Sequence, residues 1–224
     1  MNSRFPLAST AALMADPARS AMLTALLNTR SLSAGELARS GDVSAQSASM
    51  HLAQLLAGGF LKVTQEGRHR YYQIASPEIA HAIEALGAIS TVPSYRPSGA
   101  NRDLCIARTC YDHLAGELGV NLTAALERER FLVPQGEREY EITKEGEKLL
   151  ARWQINPGPL QRARRSFARR CLDWTERKHH LAGALGAAIC AKFFEYGWIR
   201  RERQSRIVHI TPRGHRELHR TLNL

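Results

Sequence analysis

A chain of 224 residues, 44% hydrophobic and 23% charged, has the length of one or two domains and the composition of a soluble globular protein. No apolar run approaches the length of a membrane span, the start "MNSRFPLASTAALMADPARS" has no signal-peptide layout, and Cys105, Cys110, Cys171 and Cys190 show neither a Cys-x-x-Cys pair nor disulfide-dense spacing, so a cytoplasmic protein with free thiols and no membrane partner is expected. The net charge of +10 favours a polyanionic partner but is unevenly placed: residues 1–92 carry 7 basic against 6 acidic side chains, 93–155 carry 9 against 10, and 156–224 carry 15 against 5.

Taken in chain order, Asp16 is placed to cap a helix that opens on Pro17, with Met22, Leu23, Leu26 and Leu27 as its apolar face. Ser33 caps a short helix, Glu36 completes a capping box, and Gly41 ends it. Ser44 caps the next helix, whose core face is Ala48, Leu52 and Leu55 and whose stop is Gly58-Gly59. Two such helices joined by a tight turn make a helix-turn-helix. The opposite face of the second helix shows Gln46, Ser47, Met50 and Gln54, flanked by Ser49 and His51. Glutamine can donate and accept at an adenine edge, and serine can reach phosphate or base. "FLKVTQEGRHRYYQIA" alternates around Glu66-Gly67 as a hairpin, with Arg68, His69 and Arg70 at its tip. A basic hairpin beside a recognition helix is a wing that can reach phosphates or the minor groove. The candidate DNA contacts are therefore Arg39, Ser44, Gln46, Ser47, Ser49, Met50, His51, Gln54, Arg68, His69 and Arg70. The alternative is a winged helix used only for protein contacts.

The opening "MADPARSAMLTALL", the turn "SAGELARSGDVS", the helix segment "HLAQL" and the wing "GRHRYY" together resemble the ArsR/SmtB family of bacterial winged-helix transcriptional regulators over roughly residues 7–90. The resemblance implies a homodimer on a palindromic double-stranded DNA operator, usually as a repressor. It matches the face from Ala45 to His51 to the family's recognition helix, with Met50 where many relatives carry histidine. Ser76, Pro77 and Glu78 then open a helix with the stripe Ile79, Ala82, Ile83, Leu86 and Ile89. In the resembled family the corresponding helix packs against its symmetry mate, which makes these the dimerisation residues; packing onto the rest of the same chain is the alternative. The family's familiar metal sites are missing. "AGELARSGD" has no cysteine where one site needs a Cys-x-Cys pair, and the dimer helix offers only His81 and Glu84 where another needs Asp/His and His-x-x-His. No metal ligand and no cofactor is assigned.

The fold class expected is mainly α with small β-hairpin wings (α+β): residues 1–90 a DNA-binding and dimerisation domain, a linker near 91–100 in "STVPSYRPSGANRD", and 101–224 an effector domain. That last part contains a repeat. His113, Leu114, Ala115, Gly116, Leu118 and Gly119 recur as His180, Leu181, Ala182, Gly183, Leu185 and Gly186, and Ile142, Thr143 and Gly146 as Ile210, Thr211 and Gly214. Each copy, starting at "HLAG", reads as an alanine-rich helix that carries that segment, a polar hairpin, and a helix capped by Thr143 or Thr211, so two degenerate winged-helix-like copies are expected. "ARTCYDHLAG" and "ARRCLDWTERKHHLAG" bring cysteine, histidine and aromatic residues upstream of each copy, and Cys110, Tyr111, His113, Cys171, Trp174 and His180 are the candidate effector residues for a small-molecule or redox effector. Cys110 and Cys171 could serve thiol, metalloid (arsenical) or metal sensing; ordinary packing is the other reading. The five arginines of "LQRARRSFARRCLD" suit a solvated helix face or contact with DNA phosphates. No nucleophile elbow, phosphate loop, His-Glu-x-x-His or dinucleotide fingerprint is present, so no catalytic residue is named. A nucleoid-type protein binding DNA broadly is the other non-enzymatic class.

Overall fold

The computed structural model describes residues 7–28, 31–89, 101–203 and 205–224, and the linker expected near 91–100 lies outside them. The chain divides into two units, Met1–Ala82 and Ile83–Leu224. The division falls inside a helix, ahead of the boundary placed at residue 90 from composition. Among the described residues no helix is long and apolar enough to cross a membrane.

The first unit contains α1 (Leu7–Ala15), α2 (Pro17–Asn28), β1 (Leu32–Ser33), α3 (Ala34–Ser40), α4 (Ala45–Ala57), β2 (Leu61–Glu66), β3 (His69–Ile74) and the start of α5 (Pro77–Ile89). The caps form where the side chains require them. The Arg19 amide donates to Asp16 Oδ1 at 2.9 Å ahead of α2. Ser33 and Glu36 close a reciprocal capping box on α3, and Ser44 accepts from the Ser47 amide to cap α4. Met22, Leu23, Leu26 and Leu27 are buried with Leu37, Ala48, Leu52, Leu55, Leu61 and Tyr72, so the apolar faces read from periodicity are the core of this unit. β2 and β3 pair antiparallel with Glu66 opposite His69, and β1 adds a short third strand by pairing with β3.

The second unit contains the rest of α5, then α6 (Asn101–Ile106), β4 (Arg108–Cys110), β5 (His113–Ala115), α7 (Gly116–Arg128), β6 (Leu132–Gln135), β7 (Glu139–Ile142), α8 (Lys144–Arg152), α9 (Pro157–Gln161), β8 (Arg169–Leu172), β9 (His179–Ala182), α10 (Gly183–Glu195), β10 (Ile199–Arg201), β11 (Val208–Ile210) and α11 (Pro212–Leu222). The repeat is visible in this order: hairpin, helix, hairpin, capped helix, twice. Thr143 and Thr211 cap α8 and α11 through the Gly146 and Gly214 amides at 3.1 and 3.0 Å.

Two expectations are corrected. "HLAG" does not begin the helix of either copy. His113 and His180 lie on strands β5 and β9, and the helices start at Gly116 and Gly183. The reason is a pairing partner just upstream: β4 pairs with β5, and β8 with β9. The arginine-rich run is not a helix face either. It leaves α9 at Gln161 and enters β8 at Arg169. There Arg165 bonds Asp112, and the Arg170 guanidinium lies 5.6 Å over the Tyr140 ring.

The two copies are interlocked. The second hairpin of the first copy pairs with the first hairpin of the second, through Glu139 opposite Arg169 and the Tyr140 amide on the Ala168 carbonyl at 2.8 Å. The second copy returns the arrangement, through Arg108 opposite Ile207 and the Val208 amide on the Ala107 carbonyl at 2.9 Å. Helix α7 packs on β9, and α10 on β5. One core runs through both copies, with Trp153, Phe193 and Trp198 in mutual edge and tilted contact. Neither copy could bury its apolar face alone in this arrangement.

Candidate functional site

In the first unit, α4 buries Ala48, Leu52 and Leu55 and thereby turns its polar side outward. Gln46, Ser49 and Met50 are exposed, Met50 at 60%. Ser44 is exposed but committed as the cap, together with half-buried Ser47. The Ser49 hydroxyl donates to the Ala45 carbonyl at 2.9 Å. Arg39 is exposed near the end of α3, and Arg68, His69 and Arg70 are exposed at the wing tip. His51 and Gln54 are placed differently. Both meet Arg19 of α2: Gln54 Oε1 accepts from its guanidinium, and His51 Nδ1 lies 3.4 Å from the same nitrogen. These two side chains brace α4 against α2, so the exposed set apart from the cap and the brace is Arg39, Gln46, Ser49, Met50 and the wing.

In the second unit, four of the six candidate effector residues converge. Cys110 faces His113 across the β4–β5 pair, and Cys171 faces His180 across the β8–β9 pair. Because the copies interlock, the two pairs meet. One donor atom from each of Cys110, His113, Cys171 and His180 lies within 4.8 Å of all the others. All four residues are buried, at 3%, 5%, 6% and 1% exposure. The imidazoles approach through Nε2 at 3.2 Å. The close fit needs glycine on the facing helices: a Cβ on Gly119 or Gly186 would strike the Leu114 or Leu181 carbonyl at 2.5 or 2.4 Å, and each glycine also faces the other copy's histidine Cβ.

The outer nitrogens meet carboxylates. His113 Nδ1 lies 3.3 Å from Asp112 Oδ1, and His180 Nδ1 lies 3.2 Å from Asp173 Oδ2, the latter without the alignment of a full hydrogen bond. Each carboxylate is held in turn by arginine: Arg108 Nη2 bonds both Asp173 oxygens at 2.9 and 3.0 Å, and Arg165 bonds Asp112 at 2.6 and 3.4 Å. Burial opposes ionisation of both acids, but His180 and Arg108 outweigh it at Asp173 and hold the carboxyl well below its ordinary range. His113 and Arg165 do the same at Asp112, which is held at about 2. The Cys110 thiol donates to Glu84 Oε2 at 3.1 Å, and Glu84 pairs with Arg206 at 2.9 Å. The hydrogen bond with Cys110 pulls the Cys171 thiol below its ordinary value, whereas burial pushes Cys190 up to about 12.

Tyr111 and Trp174 fall outside the cluster. Tyr111 is 56% exposed at the β4–β5 turn, and Trp174 lies under the Arg108 guanidinium at 5.2 Å. Sequence reading did not assign Asp112 and Asp173 as supports of the histidines, nor connect Glu84 with Cys110. The signal was present in the repeat: Cys110-Tyr111-Asp112 and Cys171-Leu172-Asp173 share a Cys-x-Asp pattern ahead of the aligned histidines.

A helix-turn-helix with an exposed polar face on its second helix and a basic two-stranded wing is the architecture of a DNA-binding regulator. Residues 14–64 match the family described as a helix-turn-helix domain. Over 221 residues the chain is 40% identical to the uncharacterized HTH-type transcriptional regulator YdfF of Bacillus subtilis (strain 168), covering 97% of each chain. Among solved structures, NolR from Sinorhizobium fredii matches at 26% identity, covering 37% of this chain and 82% of its own, with a TM-score of 0.34. Reduced HlyU from Vibrio cholerae N16961 matches at 29%, covering 38% and 88%, with a TM-score of 0.35. The chain belongs to the family of HTH-type transcriptional regulators, in keeping with the ArsR/SmtB resemblance of its first 90 or so residues.

Proposed function

We propose that the protein is a homodimeric, sequence-specific repressor that binds a palindromic operator and is released when an effector occupies the second unit. The observation that carries the reading is the joint exposure of the α4 face and the wing on one unit: Gln46, Ser49 and Met50 can address base edges while Arg68 and Arg70 address phosphates. Leu86 and Ile89 of α5 are exposed at 48% and 72%, an apolar stripe suited to a second copy. The opposite side of the same helix is committed within the second unit, where Glu84 meets Cys110 and Arg206, and the Gly87 carbonyl accepts from Arg177.

The test is a mobility shift on the DNA upstream of the protein's own gene, with excess non-specific competitor. A retained, discrete complex is expected. Gln46→Ala should cost about 1–3 kcal/mol on the preferred site and relax sequence choice. Arg68→Ala and Arg70→Ala should weaken binding to every sequence and lower the salt slope by about one unit each. If competitor abolishes all binding, the protein binds DNA broadly and the repressor reading fails.

A further inference from the structure

We propose that Cys110, His113, Cys171 and His180 form a closed tetrahedral site for a thiophilic divalent transition-metal ion of the zinc class, built across the two interlocked copies; its role as the effector site rests on the repressor reading above.

The argument starts from donor chemistry. Two thiolates and two imidazoles are a complete set for a structural or sensing tetrahedral ion, and sulfur–nitrogen ligation in this geometry selects Zn2+ over hard cations such as Mg2+ or Ca2+. The spacing agrees. Zn–N bonds of about 2.05 Å at the tetrahedral angle put two nitrogens about 3.3 Å apart, and the His113 and His180 Nε2 atoms are 3.2 Å apart. All four donors lie within 4.8 Å of one another, so a small contraction around an ion brings them into range.

The surroundings make the same demand independently. Ionised carboxylates only accept, so Asp112 and Asp173, beside Nδ1 of His113 and His180, favour the tautomer with its proton on Nδ1. In that tautomer the two Nε2 lone pairs converge at 3.2 Å in a buried pocket, where a single ion would accept both. A histidine whose outer nitrogen meets a carboxylate is also the usual support of a metal-bound imidazole, and here the support occurs twice, each carboxylate anchored by its own arginine.

Loading balances simply. One divalent ion replaces two thiol protons, which leave to solvent, and the resulting centre of two thiolates, two neutral imidazoles and one dication is uncharged, as a buried site favours. The proton lost from Cys110 is the one it donates to Glu84. Ion uptake therefore removes the hydrogen bond between the pocket and α5, a helix that begins in the first unit and ends in the second.

The full-length chain, reduced and stripped with a chelator, should be titrated with Co2+. One equivalent per chain is expected, with the visible absorption of tetrahedral cobalt and a thiolate charge-transfer band, both lost on adding Zn2+. Cys110→Ser and Cys171→Ser should each weaken the charge-transfer band and Co2+ affinity, while Cys105→Ser and Cys190→Ser leave both unchanged. Because the first two variants alter a core, the stripped wild-type titration is decisive by itself: failure to bind Co2+ stoichiometrically overturns the proposal. So does a thiolate signal that survives in both Cys110→Ser and Cys171→Ser. A chain that ignores Co2+ but joins Cys110 to Cys171 under a mild oxidant holds a dithiol switch instead, and the metal site is refuted. Zn2+ should lower affinity for the upstream DNA by about tenfold or more. If Co2+ binds as described and that affinity does not change, the effector role is overturned. Failure of the metal-free mobility shift is separate and overturns only the repressor reading.

Discussion

Asp173 is fully buried and bears more interactions than its neighbours suggest. It accepts from Arg108, from the Gly116 amide at 2.8 Å, and from the amide and hydroxyl of Thr175 at 2.9 and 2.7 Å, while facing His180. Its charge is what makes a buried Arg108 tolerable, since that guanidinium is only 1% exposed. Breaking one side of such a pair strands a buried charge, which costs about 3–5 kcal/mol. Asp173→Asn should therefore destabilise the second unit by about that amount. The three tryptophans, Trp153, Trp174 and Trp198, all lie in that unit, so urea unfolding followed by tryptophan fluorescence reports it selectively. An unchanged midpoint would mean that the pair contributes little. None of this was legible from the sequence, because Arg108 and Asp173 are 65 residues apart and meet only after the copies interlock.

At the scale of elements, what could be read in advance was what is encoded locally. Asp16, Ser33, Ser44, Thr143 and Thr211 all precede helices that they cap, because a cap is a contact between residues only a few positions apart. The capping box of α3 gives a direct check. Ser33→Ala removes the acceptor of the Glu36 amide and the hydroxyl that donates to the Glu36 carboxylate at 2.6 Å, and should cost about 1 kcal/mol. The hydroxyl and amide of Ser33 together hold the Glu36 carboxyl below its usual range, against a smaller opposing effect of burial. A depressed carboxyl contributes stability above its unfolded pKa and loses it as pH falls through the folded value. The Ser33→Ala deficit, measured by hydrogen exchange of the α3 amides, should accordingly shrink on acidification. What could not be read were the three-residue and four-residue strands that carry the cysteines and histidines. Their pairing partners are too short for alternation to show, so "HLAG" read as the start of a helix. The candidate residues were found through the repeat, which is why Cys110, His113, Cys171 and His180 were assigned to a site while the supporting aspartates were not.

For the whole molecule, α5 is the element in which the two activities would have to meet. One side of it is fixed by Glu84 to Cys110 and Arg206, and the other exposes Leu86 and Ile89. If the exposed side holds a second copy, charge placed there should separate the protomers, because a carboxylate at a desolvated symmetric contact faces its own image. Leu86→Glu with Ile89→Glu should shift the protein to monomer in sedimentation equilibrium while each protomer keeps its fold by circular dichroism, since both side chains are exposed on the single chain. The same variant should lose operator affinity even though every DNA-facing residue is intact. A dimer engages two half-sites, and the second contact is made at the high effective concentration set by the first, so its loss should cost on the order of a hundredfold in affinity. A single half-site should be bound equally by both forms. A variant that stays dimeric would move the dimer contact away from α5. A monomer that keeps full operator affinity would show that one winged helix suffices, and the palindromic operator would then have no role.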